Sequence, residues 1–396
     1  MSVLSQLVGG GQPVGSILLA PCGLADTAWL PCDGRTLLRS AYPLLSAINT
    51  VPTFTPTQRT KGAASSSAAL AVHNGLWVMS GATGANNIQT TPDGVTYTQR
   101  ATSGGGSPDI RSLISDGTNV VGVGTSQSTF DAWRSSDGLT YTQTVSSVSC
   151  QGSSQQCVMA RAPTLGTVGR FLVASNTQFF SSDDRGATWT AQAHGLGGNA
   201  CAVAWTGTRS IALTGTANTL YVSATGLAGS WTTQLTMPAL AGCSAGSGAI
   251  FSDGAGRVLI VNSFTVLTSQ NHGLSWSARR FVQPFEGAAG QIFFGEPSFT
   301  NGLFFLPTQN EGIVLVSRDL ITWMALPDVN TLRFGGAPFQ AISFKAGVYF
   351  GQYIGIASAL TLAEDATRMY LPMTGQTVPS NSVLGAMPTT TYIKVS

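Results

Sequence analysis

Six short segments of this chain repeat one pattern: a hydroxyl residue, in most cases an acid or amide, then Gly or Leu, then an aromatic. They read TPDGVTY (91–97), SSDGLTY (135–141), SDDRGATW (182–189), SATGLAGSW (223–231), SQNHGLSW (269–276) and SRDLITW (317–323). The aromatics fall at Tyr97, Tyr141, Trp189, Trp231, Trp276 and Trp323, in steps of 44, 48, 42, 45 and 47 residues. A weaker seventh unit, LTLAEDATRMY, ends at Tyr370 after another 47.

Each unit carries two apolar runs before its turn, such as RSLIS with NVVGVG, or CAVAW with SIALTG. A third short run leads into the turn, and the aromatic begins a fourth. Four short strands joined by Gly/Ser/Asn turns make one antiparallel sheet. A period of about 40–50 residues with four strands is that of a β-propeller blade. The expected fold is therefore all-β, a seven-bladed propeller of four-stranded antiparallel blades over roughly 61–372. The irregular first and last units leave six or eight blades open.

Composition agrees with a folded, neutral-surfaced chain. Only 9% of the 396 residues are charged, against about 25% in ordinary soluble proteins. Yet 43% are hydrophobic, with 18 Phe, which is unlike a disordered chain. The net charge of +2 comes without a basic run, so no footprint for nucleic acid or an anionic membrane is present. No apolar stretch is long enough for a transmembrane helix, and MSVLSQLVGGGQPVG lacks the features of a signal peptide. The six cysteines pair by position as Cys22/Cys32, Cys150/Cys157 and Cys201/Cys243; bridges and buried thiols both remain open. No ligand spacing suggests a metal site, and no cofactor motif is present.

In the repeated turns, Asp93, Asp137, Asp184, Asn271 and Asp319 are placed to accept backbone N–H bonds as Asx residues do. The Gly supplies a positive φ, and Tyr97, Tyr141, Trp189, Trp276 and Trp323 pack back between sheets. These turns resemble the Asp-box of sialidase-like propellers; SDDRGATW and SQNHGLSW match its S-x-[DN]-x-G-x-x-W form. In that family the box is a folding device away from the active site. A sialidase would need an arginine triad and paired carboxylates. Arg134, Arg161, Arg279, Arg280 and Arg333 could be nominated for the first. Asp131, Glu286, Glu296, Glu311, Glu364 and Asp365 could be nominated for the second, with Glu364 and Asp365 expected to cap a turn. Nothing pairs them, so no enzyme is expected. His73, His194 and His272 are scattered, and His272, inside a box turn, is expected to face solvent.

The segment PVGSILLAPCGLADTAWLPCDGRTLLRSAYPLLSAI (13–48) resembles the tail-collar domain of tailed-phage fibres and tail-tip proteins. The resemblance rests on Trp29, Cys32, Asp33, Gly34, Arg39, Tyr42 and Pro43. Asp33-Gly34 reads as a hairpin turn, and Pro43 as the first residue of a short helix. The domain's closing pieces are expected at MYLPM (369–373) and TTTYIKVS (389–396), with the propeller inserted between. That gives a collar-like segment 1–60, a propeller 61–372, and a segment 373–396 completing a small α+β module formed by the two chain ends. The alternative is a simple N-terminal module with an unrelated tail. If the chain enters and leaves the propeller where the first strands start, the module lies near that face and the boxes point away from it.

The loops between blades are longer and more aromatic than the turns. Arg279, Arg280, Phe281, Phe285, Arg333 and Phe334 combine rings with guanidinium groups, the usual composition of interface anchors. The resemblance implies a virion protein of the distal tail, a homotrimer that contacts other tail proteins. It would bind a bacterial surface receptor, glycan or appendage, without covalent chemistry. A structural adaptor that never meets the host is the alternative, with a sialidase-like hydrolase behind it.

Overall fold

The computed structural model describes residues 17–20, 29–31, 36–48, 51–64, 69–81, 88–104, 109–126, 129–149, 158–175, 178–193, 195–196, 200–214, 219–236, 249–262, 265–280, 297–307, 314–321, 323–326, 339–353, 357–370 and 390–394. Seven four-stranded antiparallel sheets form the predicted propeller. Blade 1 comprises Leu70–His73, Leu76–Ser80, Ile88–Thr91 and Thr98–Arg100. Blade 2 comprises Asp109–Ser115, Val120–Ser126, Thr129–Ser135 and Thr142–Ser149. Blade 3 comprises Val158–Ala162, Arg170–Ser175, Gln178–Ser182 and Thr190–Ala193. Blade 4 comprises Ala200–Trp205, Ser210–Thr214, Thr219–Ser223 and Thr232–Thr236. Blade 5 comprises Ala249–Ser252, Val258–Asn262, Thr265–Ser269 and Ser277–Arg280. Blade 6 comprises Ser298–Thr300, Leu303–Pro307, Val314–Ser317 and Met324–Ala325.

Blade 7 departs from this order. Its first three strands are Phe339–Lys345, Val348–Tyr353 and Ser358–Asp365, but its outermost strand is Thr53–Thr60, from near the N-terminus. The pairing is continuous, from Thr53 opposite Asp365 to Thr60 opposite Ser358. The propeller thus begins at Thr53, not 61, and the weak seventh unit does not supply its own fourth strand. Arg368–Tyr370 instead pairs with Thr36–Leu38.

Blades are sandwiched, and this explains their sequences. A strand buried on both faces reads as an unbroken apolar run rather than an alternation. Arg170–Ser175 and Leu303–Pro307 are buried at every position, whereas the outer Thr190–Ala193 is mostly exposed and polar. Seven apolar clusters lie between neighbouring blades. Between blades 2 and 3, Phe130 stacks on Phe180 with centroids 4.0 Å apart; each such ring contributes roughly 1.5–3 kcal/mol by burial. Between blades 7 and 1, Phe350 and Ala359 meet Trp77 and Met79, which closes the circle.

The two chain ends meet, as expected. Thr390–Lys394 is the central strand of a three-stranded sheet, flanked by Ile17–Ala20 and Trp29–Pro31. A short helix, Pro43–Ile48, starts at its proline. Leu45 and Met369 are buried together, with Leu30, Leu37 and Tyr42 against them.

The module's position differs from expectation. The first-to-second and third-to-fourth turns of each blade lie at one end of the strands, the box face. Thr53 enters, and Asp365 leaves, at that same end. The module therefore sits on the box face, because the N-terminal segment enters as an outer strand and not as the first strand of blade 1.

Candidate functional site

Each box is held by its own side chains. In blade 1, the Asp93 carboxylate accepts from the N–H groups of Val95 and Thr96 at 2.8 and 2.7 Å, and Thr91 Oγ1 accepts from Gly94 N at 2.8 Å. Asp137 accepts from Leu139 and Thr140 N–H in the same way, and these backbone bonds hold both carboxyls down at about 2. Asp184 accepts from Thr188 N, Asn271 from Ser275 N and Asp319 from Ile321 N. The aromatics close the turns: the Tyr97 and Tyr141 hydroxyls donate to Gly94 O and Gly138 O, and Trp189 Nε1 to Gly186 O. Trp276 and Trp323 pack into the clusters between blades 4 and 5 and between blades 5 and 6.

The boxes also couple the blades, which their sequence does not reveal. A residue at or beside the first turn of one blade grips the box of the next. His73 and Asn74 both reach Ser136 O, at 3.1 and 3.0 Å. Arg185 pairs with Asp116 at 3.1 Å. Arg170, itself bidentate to Asp183, donates to Thr225 O at 2.6 Å. His272 Nδ1 lies 2.8 Å from Thr206 O, so this histidine is an inter-blade tie and does not simply face solvent. Arg257 donates to Arg318 O and lies over the rings of Phe299 and Phe304. From blade 7, Lys345 donates to Gly75 O and Pro92 O and sits 4.2 Å over the Trp77 ring. Blade 6 reaches blade 7, which has no box, through Asn301 Nδ2 and the Tyr349 hydroxyl, 2.8 Å apart.

The collar-motif residues divide. Cys32, Asp33 and Gly34 lie outside the described residues. Trp29 is on an edge strand opposite Lys394. Arg39 fastens the module to the propeller. Its guanidinium donates to Arg368 O at 3.1 Å, Ser46 Oγ at 3.1 Å and Val51 O at 2.7 Å, and its N–H to Thr367 O at 2.9 Å. One side chain thus joins the helix, the incoming strand and the turn that ends blade 7. Beside it, Glu364 accepts from the Tyr349 hydroxyl at 3.1 Å, and Asp365 caps the turn through Thr367 N at 2.9 Å.

Of the anchor residues expected in the loops, Phe281, Phe285, Arg333 and Phe334 lie outside the described residues, as do Glu286, Glu296, Glu311 and all cysteines except Cys201. Arg279 and Arg280 end the outer strand of blade 5, opposite Val266 and Thr265. They are on the rim away from the boxes and the module. Asp131 is buried and accepts from Gln143 Nε2 at 3.0 Å, and Arg134 donates to Asn119. Among the described residues no group of three or more His, Cys, Asp or Glu is placed to hold a metal ion.

No protein-family model matches the chain, and no curated protein is significantly similar. Solved structures are similar in fold. "YCF48 bound to D1 peptide" aligns with a TM-score of 0.56 at 16% identity, over 80% of this chain and 98% of that one. YCF48 from Cyanidioschyzon merolae gives 0.55 at 14%, over 78% and 98%. A catalytically inactive virginiamycin B lyase from Staphylococcus aureus, solved with quinupristin, gives 0.58 at 10%, over 78% and 99%. At such identities the likeness is one of architecture: the chain is a seven-bladed propeller.

Proposed function

We propose that this chain is a receptor-binding protein of a tailed-phage virion, carried through its terminal module and recognising a bacterial surface glycan or appendage with the face opposite the boxes. The observation that carries this reading is the convergence of both chain ends on the box face, joined there by Arg39. A carrier attached at the module leaves the opposite rim free, and Arg279 and Arg280 stand at that rim. The module's sequence resembles tail-collar domains, which supports the setting; the acids of the box turns are engaged by their own backbone, which favours recognition over hydrolysis. A propeller of similar fold bound to a peptide supports the scaffold's suitability for non-covalent recognition. Several copies per virion would multiply a modest single-site affinity.

The test uses the full chain. Purified protein should bind intact cells susceptible to the phage and block phage adsorption. The double variant Arg279→Ala/Arg280→Ala should bind at least about tenfold more weakly, the scale of an interface anchor. A folded protein that binds no cells, and instead captures another tail component through the opposite rim, would make the chain an adaptor.

A further inference from the structure

Two of the first-to-second strand turns are built on an asparagine followed by a glycine. Asn74 and Gly75 link His73 to its partner Leu76 in blade 1, and Asn301 and Gly302 link Thr300 to Leu303 in blade 6. All four have positive φ, between +45° and +74°, as a two-residue type I′ hairpin turn requires. Blade 7 makes the same kind of turn with Ala346 and Gly347, at φ +50° and +85°. The turn itself therefore does not need the asparagine. Its amide serves the tie between blades: Asn74 Nδ2 donates to Ser136 O at 3.0 Å, and Asn301 Nδ2 to the Tyr349 hydroxyl at 2.8 Å.

An asparagine before glycine is chemically labile. The backbone nitrogen of the next residue can close on the side-chain carbonyl carbon, and glycine has no Cβ to hinder it. The surroundings of Asn74 favour that step. Asn74 and Gly75 are both exposed, and a Cβ at Gly75 would meet nothing within 4 Å. Among the described residues no acceptor engages the Gly75 N–H. The Lys345 ammonium donates to Gly75 O at 2.7 Å. It is a fixed cation close to the nitrogen on which negative charge develops, and such a charge favours the anion. Asn301 is better protected. Its acceptor belongs to the fully buried Tyr349, and Gly302 is half-buried with the Arg318 guanidinium against it.

We propose that Asn74 is a site of spontaneous deamidation in the folded protein, and that the change unfastens blade 1 from the box of blade 2. Gly75 N gives up its proton and bonds to Asn74 Cγ; the side-chain nitrogen leaves as ammonia, and a five-membered succinimide remains. Water then adds and opens one of the two carbonyl–nitrogen bonds, leaving aspartate or isoaspartate. Either product puts carboxylate oxygens where an N–H donor faced Ser136 O, beside Asp137, whose own carboxylate holds the box. Isoaspartate also lengthens the main chain of a two-residue turn by one carbon. His73 Nε2 is left to hold Ser136 O. The inference does not depend on what the opposite rim binds.

The test is peptide mapping by mass spectrometry of the full chain, kept folded for weeks in mildly alkaline buffer at body temperature. Asn74 should show the mass change of amide to acid, as both aspartate and isoaspartate, several-fold faster than Asn301. The aged wild type should melt about 1–2 °C below fresh protein, the scale of one lost hydrogen bond in a chain this long. Asn74→Gly keeps a residue suited to the turn, has no amide to lose, and should melt at the same temperature fresh and aged. Asn74→Asp should melt early without ageing. The mapping is made on the wild type, so it decides the chemistry even if a variant misfolds. An Asn74 that stays intact in the folded chain while it converts in urea would overturn the inference. Equal conversion of Asn301, or a converted wild type that melts like the fresh one, would do the same.

Discussion

Lys61 stands between the closing strand and blade 1 with 3% of its surface exposed, and its ammonium donates to Tyr353 O at 3.0 Å. Burial pushes its pKa down to about 7. In the unfolded chain the amine titrates near ~10.4. Between these two values the unfolded state binds a proton that the folded state lacks, so stability rises with pH from about 7 to about 10. The whole span is worth on the order of 4 kcal/mol. Thermal melts at increasing pH should show the wild type gaining on Lys61→Met across that window, with no gain below pH 6. Nothing in the sequence marks Lys61, because a single lysine beside a glycine reads as surface. The box acids were legible, since Asp93 and Asp137 find their donors two and three residues on. Arg39 was visible as part of a motif, but its task was not: two of its partners lie at Thr367 and Arg368, more than 300 residues away.

The box as an element has two jobs, to turn the chain and to bear on the preceding blade. Gly273 has φ +78°, and a Cβ there would run into the Ile211 side chain of blade 4. Gly186 and Gly226 similarly face Val121 and Leu172, each at 2.9 Å. Gly273→Ala therefore combines backbone strain with overpacking, and chemical denaturation should find it less stable by roughly 2–3 kcal/mol. Blade 6 tolerates a side chain at this place: Leu320 has φ +61° and is fully buried in the cluster between blades 5 and 6. The sequence showed the turns because their bonds are local. It hid the grip between blades, for which a histidine, an aspartate, arginines, an asparagine and a lysine serve at or beside the first turn, and in blade 4 a backbone carbonyl. A role filled by such varied chemistry leaves no repeated letter to read.

At the scale of the whole molecule, the period of the aromatics gave the blade number, and the collar-like motif foretold that the ends would meet. The closing strand escaped notice. TFTPTQRT carries no repeat signature, and it contains a proline, which only an edge strand accommodates comfortably. Its partner begins 298 residues further on, at Ser358. The consequence is testable by truncation. A chain starting at residue 51 keeps all four strands of blade 7 and should melt as one cooperative unit. A chain starting at residue 61 leaves Ser358–Asp365 without its outer partner and strips Phe54 from the cluster between blades 6 and 7. It should lose that cooperative melt or aggregate through the open edge.

That arrangement also sets an order of events at the ribosome. Thr53–Thr60 is among the first parts of the propeller to emerge and the last to find its place. At about 5–20 residues per second, its partner follows roughly 15–60 s later. During that wait the segment is an unpaired strand in a crowded cell. Its threonines, Gln58, Arg59 and Pro56 suit the delay, for they give a passing edge little to add to. The residues that lock the finished ring are those least able to join anything else beforehand.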